Sequence, residues 1–180
     1  MTNFLKLFFF SAVLAFFSSC QEEDSCELDP QSCFEEQLEK DLTLIQDYVD
    51  ENDLDAFVHA SGLHIIKTKV GEGDSAMNGQ IVTVDYVGRF LDGTVFDTSV
   101  DSVAQAEGVY DETRNYEPFT FKLGARNVIS GWDIGFQYFA EGSEGMLIVP
   151  SYLAYGTSGR GNIPPNTVLL FEVKLLSIRF

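Results

Sequence analysis

Residues 127–139 read NVISGWDIGFQYF. Ile129, Trp132, Phe136 and Phe139 recur at three- and four-residue steps, the spacing of one helix face. Gly131 and Gly135 interrupt that face, although each glycine costs a helix interior about 1 kcal/mol relative to alanine. The chain's one tryptophan stands between them. The spacing predicts a short helix here; why glycine weakens it at two places, and what the indole faces, the stretch alone leaves open.

Around this helix the chain alternates as strands do. Leu63 to Val70 reads as one strand after the Ser61-Gly62 break. GEGDSAMNGQ (71–80) reads as a turn cluster. Ile81 to Val87 places Val82, Val84 and Tyr86 on one face and Thr83 and Asp85 on the other. LDGT (91–94) contains Asp-Gly, a strong hairpin signal, before a strand opened by Val95, Phe96 and Asp97. Phe119 to Leu123, Gly145 to Val149 and Thr167 to Ile178 complete the strands, the last alternating Leu169, Phe171, Val173 and Leu175. Several antiparallel strands and one short helix make an α+β class in which the sheet wraps the helix.

The chain has 180 residues, 45% of them apolar, and sixteen phenylalanines, enough for one domain with an aromatic core. Its formal net charge of −17 excludes nucleic acid as a natural partner, because such binding needs clustered cations to displace counterions. Residues 21–60 hold half of the carboxylates and a single cation, Lys40. Within that block Leu38, Leu42, Ile45 and Val49 recur at helical spacing, so a charged helix runs from Phe34 to Tyr48. Asn52-Asp53 interrupts it, with Asp53 placed to cap a last short turn through Phe57.

The first twenty residues, MTNFLKLFFFSAVLAFFSSC, carry one lysine and an apolar run from Leu7 to Phe17. At about 1.5 Å per residue this run is too short for a hydrocarbon core of roughly 30 Å. It reads as a secretory signal. Small residues directly before Cys20 resemble the lipobox of bacterial lipoproteins, in which the cysteine is lipidated and the signal is cut before it. Phe17 departs from the usual leucine, a departure that lipoproteins of Bacteroidetes-type bacteria tolerate. An ordinary cleaved signal or an uncleaved anchor is the alternative. QEED after Cys20 resembles a surface-export signal of such lipoproteins, or is a plain acidic tether. Cys26 and Cys33 in CELDPQSC form either a disulfide, as export to an oxidising compartment favours, or two free thiols.

No nucleophile elbow, phosphate loop or metal-ligand cluster is present, and no cofactor motif. His59 and His64 lie in or beside the acidic arm and are poor general-base candidates. What is concentrated instead is aromatic: Tyr86, Phe96, Phe119, Trp132, Tyr155 and Phe171. Each taken alone is adequately explained as core packing.

Taken together, VDYVGRFLDGTVFDTS (84–99), PFTFKLGARNVISGWDIGFQYFAEGSEGMLIVP (118–150), LAYG (153–156) and IPPNTVLLFEVKLL (163–176) resemble the FKBP family of peptidyl-prolyl cis–trans isomerases. The resemblance spans about residues 62–180 and is broken by one insertion, 100–117. It implies an antiparallel half-barrel around one short helix, with a hydrophobic pocket between them, Trp132 as its floor, and glycines that permit close helix–sheet packing. Carried over by position, Tyr86, Phe96, Asp97, Trp132 and Tyr155 would be the catalytic set. Phe119, Val128, Ile129, Ala154, Ile163 and Phe171 would complete the substrate wall. The Ile129 N–H and the Tyr155 hydroxyl would donate to substrate carbonyls. Asp97 would be a polar anchor near the twisting amide, its plainer role being a turn cap after the hairpin. The implied partners are proline-containing polypeptides and the macrolides that this family binds, with no cofactor and no metal.

The insertion is longer than the loop of minimal relatives. That loop often carries an arginine pairing with the pocket aspartate, for which Arg114 is the candidate here. The inserted segment either reaches over the pocket rim or is a solvated loop. Between LAYG and IPP stand only TSGRGN, so the added flap domain of chaperone-type relatives is absent, and Arg160 lies where many relatives have histidine. The expected organisation is a signal (1–19), an acidic tether (20–33), a helical arm (34–60) and an isomerase domain (61–180). The expected function is an exported, lipid-anchored prolyl isomerase of the cell envelope, at the outer membrane. Its rivals are a non-catalytic binding lipoprotein using the same pocket and loop, and a structural lipoprotein whose acidic arm is the functional part.

Overall fold

The computed structural model describes residues 29–180. The expected signal, Cys20 and Cys26 therefore lie outside the described residues; Cys33 is disulfide-bonded. The elements are α1 (Pro30–Glu51), β1 (Phe57–Val58), β2 (His64–Lys69), β3 (Glu72–Ser75), β4 (Ile81–Arg89), β5 (Val95–Thr98), α2 (Asp101–Ala106), β6 (Phe119–Lys122), α3 (Ser130–Gly135), β7 (Ala140–Glu141), β8 (Glu144–Val149) and β9 (Leu169–Arg179). The main sheet is antiparallel in the order β1-β2-β8-β9-β4-β5, and β6 also pairs with β4. No described helix is long and apolar enough to cross a membrane.

The long strand β4 shares its outer edge between two partners. Ile81 to Val84 pair with β6, and Val87 to Arg89 pair with β5. Between the two stretches lies Tyr86, where neither neighbour continues the ladder. The residues after the Phe96-Asp97 step fill that role. Thr98 Oγ1 donates to the Tyr86 carbonyl at 2.7 Å, Ser99 N donates to it at 3.1 Å, and Tyr86 N donates to Ser99 Oγ at 3.0 Å. Buried backbone groups left without partners are costly, so the split edge needs these two side chains.

On the concave face Val82, Val84, Phe121, Leu147, Leu169, Val173 and Leu175 close around α3. The helix is α for Ser130–Gly135 and continues as a tighter 3₁₀ turn over Phe136–Tyr138. Its two glycines face β8. A methyl group added at Gly131 would stand 2.5 Å from Val149 Cγ1, and one at Gly135 would stand 2.7 Å from Leu147 Cδ2. Closeness to the sheet, gained at the expense of helix propensity, is thus why this helix carries glycine at both positions.

The convex face receives the C-terminal half of α1, where Ile45 and Val49 pack with Ile66, Ile148, Val168 and Leu170. Three local expectations are corrected. The helix begins at Pro30, inside the stretch read as tether, because Asp29 caps it by accepting from Ser32 N and Pro30 fits the first turn. Asp53 caps nothing: it adopts φ +50° beyond the helix end, and Phe57–Val58 form an edge strand rather than a last turn. Residues 72–75, read as turn, pair with β7 in a small second sheet.

Candidate functional site

Between α3 and the split edge of β4 lies a cavity of about 620 Å³. Its wall includes Tyr86, Phe96, Phe119, Trp132 and Phe171, with Val128, Ile129, Ala154 and Tyr155 above them. The rings lock edge-on: Trp132 stands 5.2 Å from Tyr86 at 76°, 5.2 Å from Phe171 at 81° and 6.0 Å from Phe119 at 68°. Phe96 meets Phe171 at 5.7 Å and 90°. Such T-shaped pairs add roughly 0.5–1.5 kcal/mol each to the burial energy, so the cup is held rigid before any ligand enters. Trp132 is buried, and its Nε1–H has no acceptor among the described residues. Ile129 is the N-cap of α3, which places its backbone at the cavity wall.

The one carboxylate in the wall is that of Asp97. It accepts from the Tyr86 hydroxyl at 2.6 Å, from Thr98 N at 2.9 Å, and from Arg114 Nη1. Arg114 Nη2 also donates to the Tyr86 hydroxyl at 3.1 Å. Asp97 therefore both caps local backbone and anchors the pocket. Burial, and then the bond to the Asp97 carboxylate, push the Tyr86 hydroxyl well above the ordinary tyrosine range. Burial works to lower Arg114, but its bonds to Asp97 and Tyr86 outweigh this and hold it above the ordinary arginine range. The Tyr155 hydroxyl is raised mainly by burial, with the nearby Arg160 opposing. Both tyrosines stay neutral donors through physiological pH.

Arg114 reaches the site from the inserted segment. Its guanidinium lies 5.1 Å over the Tyr116 ring, and Tyr116 stacks on Tyr110 at 5.3 Å and 14°. The Tyr116 hydroxyl accepts from Asp111 N at 2.9 Å. The insertion is thus ordered by its own aromatic pair, with a short helix α2 at its start, and delivers a cation to the pocket.

Of the eleven residues expected here, ten line the cavity. Ile163 does not: it is buried in the core and pairs by backbone with Arg160. Sequence reading missed Arg126, Asn127 and Ser130 in the wall, and Arg160 as a lining residue. Their place beside Val128, Ile129 and Tyr155 was the available signal. It also missed Thr98 and Ser99, whose roles depend on the split edge. Asp41 was missed too. It is fully buried and accepts from Ser151 N at 2.7 Å and from Gln37 Nε2 at 2.7 Å. It thereby ties α1 to the turn leading into Ala154 and Tyr155, and Phe34 supports the same turn edge-on against Tyr152 at 5.3 Å. Among the described residues no group of three or more His, Cys, Asp or Glu is placed to hold a metal ion.

The model of the FKBP-type peptidyl-prolyl cis-trans isomerase family matches residues 73–176. The chain belongs to that family. It is 44% identical over 120 residues to a probable FKBP-type peptidyl-prolyl cis-trans isomerase FkpA of Neisseria meningitidis, covering 66% of this chain and 39% of that protein. It is 42% identical over 118 residues to FK506-binding protein 4 of Neurospora crassa, covering 66% of this chain and 22% of that one. The match thus spans well under half of these relatives' own length. A solved peptidyl-prolyl cis-trans isomerase from Pseudomonas syringae pv. tomato superposes with a TM-score of 0.62 at 28% identity, over 81% of this chain and 96% of that one. The FKBP-type fold expected from the sequence, an antiparallel sheet around a short helix with a further helix at the N-terminus, is the fold observed.

Proposed function

We propose that this chain is a peptidyl-prolyl cis-trans isomerase that turns X-Pro bonds inside the ring-lined cup over Trp132. The observation that carries this reading is the cup itself: five aromatic side chains fixed edge to edge around a cavity with one carboxylate in its wall. Rotation about an X-Pro bond faces a barrier of about 18–20 kcal/mol because it breaks amide conjugation. The twisted amide is less polar than either planar form. A dry aromatic wall favours it over them, and each ~1.4 kcal/mol of that preference is about tenfold in rate. Trp132, Phe96 and Phe171 hold the proline ring. The Ile129 N–H and the Tyr155 hydroxyl donate to substrate carbonyls, and Asp97, steadied by Arg114 and Tyr86, faces the twisting amide. No proton, electron or covalent bond need move. The macrolides that this family binds are candidate occupants of the same cup.

The decisive experiment is a rate measurement on proline-containing peptides with the chain and its Trp132→Leu and Asp97→Ala variants. Catalysis by the parent, reduced in both variants, supports the reading; a parent without effect on the rate refutes it.

The sequence before the described residues supports a cellular setting. The apolar run ending in Ser18-Ser19-Cys20 favours an exported lipoprotein anchored at Cys20 to the cell envelope, with exported proteins as clients. Palmitate incorporation that is lost in Cys20→Ser is the expected result, and labelling that survives the substitution overturns it.

A further inference from the structure

The pocket's charge is opposite to that of the chain around it. Only five arginines occur in a chain of net charge −17, and three of them gather here. Arg126 and Arg160 line the cavity, and Arg114 binds its aspartate. Asp97, the one lining carboxylate, is already held by Arg114, Tyr86 and Thr98. Arg126 and Arg160 make no ion pair with any described carboxylate.

Both are placed by the surrounding structure. Arg126 adopts φ +57°, a left-handed conformation that a non-glycine residue takes up only when its surroundings hold it there. The Asp133 carboxylate does so, accepting Gly124 N at 2.8 Å on one oxygen and Arg126 N at 3.0 Å on the other. The Asp133 carboxylate is therefore engaged with backbone, and the Arg126 guanidinium makes no ion pair with a described carboxylate. Arg160 lies over the Tyr155 ring at 5.5 Å, and its backbone is pinned to Ile163 by two hydrogen bonds of 2.9 Å.

We propose that this pair of arginines selects proline segments bearing a carboxylate side chain immediately beside the proline. The inference rests on the isomerase reading of the cup and names its substrate class. Substrates with Asp or Glu next to proline gain attraction at the rim, and those with Lys or Arg meet repulsion.

The test uses the full chain and end-blocked peptides that differ only at the residue before or after proline: Glu, Gln or Lys. Turnover is followed by the isomerisation rate and binding by the fluorescence of the single tryptophan, which floors the cup. At low salt the expected order is Glu, then Gln, then Lys, in one or both positions, with about a fivefold span between the ends, as befits exposed charge pairs. The span falls towards one at 1 M salt, where screening acts over about 3 Å. In Arg126→Gln/Arg160→Gln the Glu-to-Lys ratio collapses towards one, whatever the variant does to the Gln peptide. Equal rates and equal affinities for all three peptides in the parent overturn the proposal, as does a Glu preference undiminished in the variant. Absence of turnover with a graded affinity would refute the isomerase reading while upholding the charge preference.

Discussion

Gly131→Ala sets two effects of similar size against each other, and the structure decides between them. Helix propensity favours the substitution by about 1 kcal/mol. Against it stands Val149, fully buried on β8, whose Cγ1 would be 2.5 Å and Cγ2 3.1 Å from the new methyl. Val149 is β-branched and stiff about χ1, and Trp132 follows Gly131 directly, so neither side yields without disturbing the cup floor. Overpacking of this kind costs about 1–3 kcal/mol, which leaves a net loss of up to about 2 kcal/mol. For a domain of this size that lowers the melting temperature by up to about 6 °C. Urea unfolding followed by the Trp132 fluorescence reads the change. Adding Val149→Ala removes the obstructing methyls, and the double-mutant cycle should then show a coupling of about 1 kcal/mol in favour of the pair. A Gly131→Ala variant more stable than the parent would show that Val149 gives way freely, and the close-approach account of this helix would fall.

Asp41→Ala leaves Ser151 N–H and the Gln37 amide without their buried acceptor and should cost about 2–4 kcal/mol in chemical denaturation, since each orphaned group costs about 1–3 kcal/mol; a change under 0.5 kcal/mol would refute the clamp. Arg114→Ala removes a partly exposed partner of Asp97, so a loss of about fivefold in kcat/KM is expected, a discount on the value of a buried pair. Stability should respond to alkali through Tyr86. Its raised pKa means that the folded state keeps a proton that the unfolded chain releases near pH 10, so its contribution is full below pH 10 and is lost as pH rises beyond it. Tyr86→Phe should flatten that alkaline slope, and a slope unchanged in the variant would assign it elsewhere.

The spacing of Ile129, Trp132, Phe136 and Phe139 announced the helix in spite of its glycines, whose reason came only with the family resemblance and then with Val149 and Leu147 beside them, and the alternation at Val82, Val84 and Tyr86 announced a strand. Lining residues came through the ordered motifs, aromatic positions being few and large. What stayed hidden depends on relations between distant segments. Asp41 lies four residues before Ile45 and eight before Val49, on the buried stripe itself, yet an acid among acids reads as solvated until Ser151 is seen beneath it. Ile163 was assigned to the wall by its motif, but its side chain packs in the core while its backbone holds Arg160. Thr98 and Ser99 carry no local mark of their task, because the gap they close exists only once β4 has two partners on one edge.

That shared edge has a consequence for how such a protein changes over time. Where one border strand hands over to another, extra length can be spliced in without breaking a rung on either side. The segment from 100 to 117 occupies this joint, so its size and chemistry, Arg114 apart, are free to drift while the cup behind it stays fixed. Swapping it among kin should retune which clients are admitted, and should slow the turning of the bond only where the arginine that reaches Asp97 is lost with it.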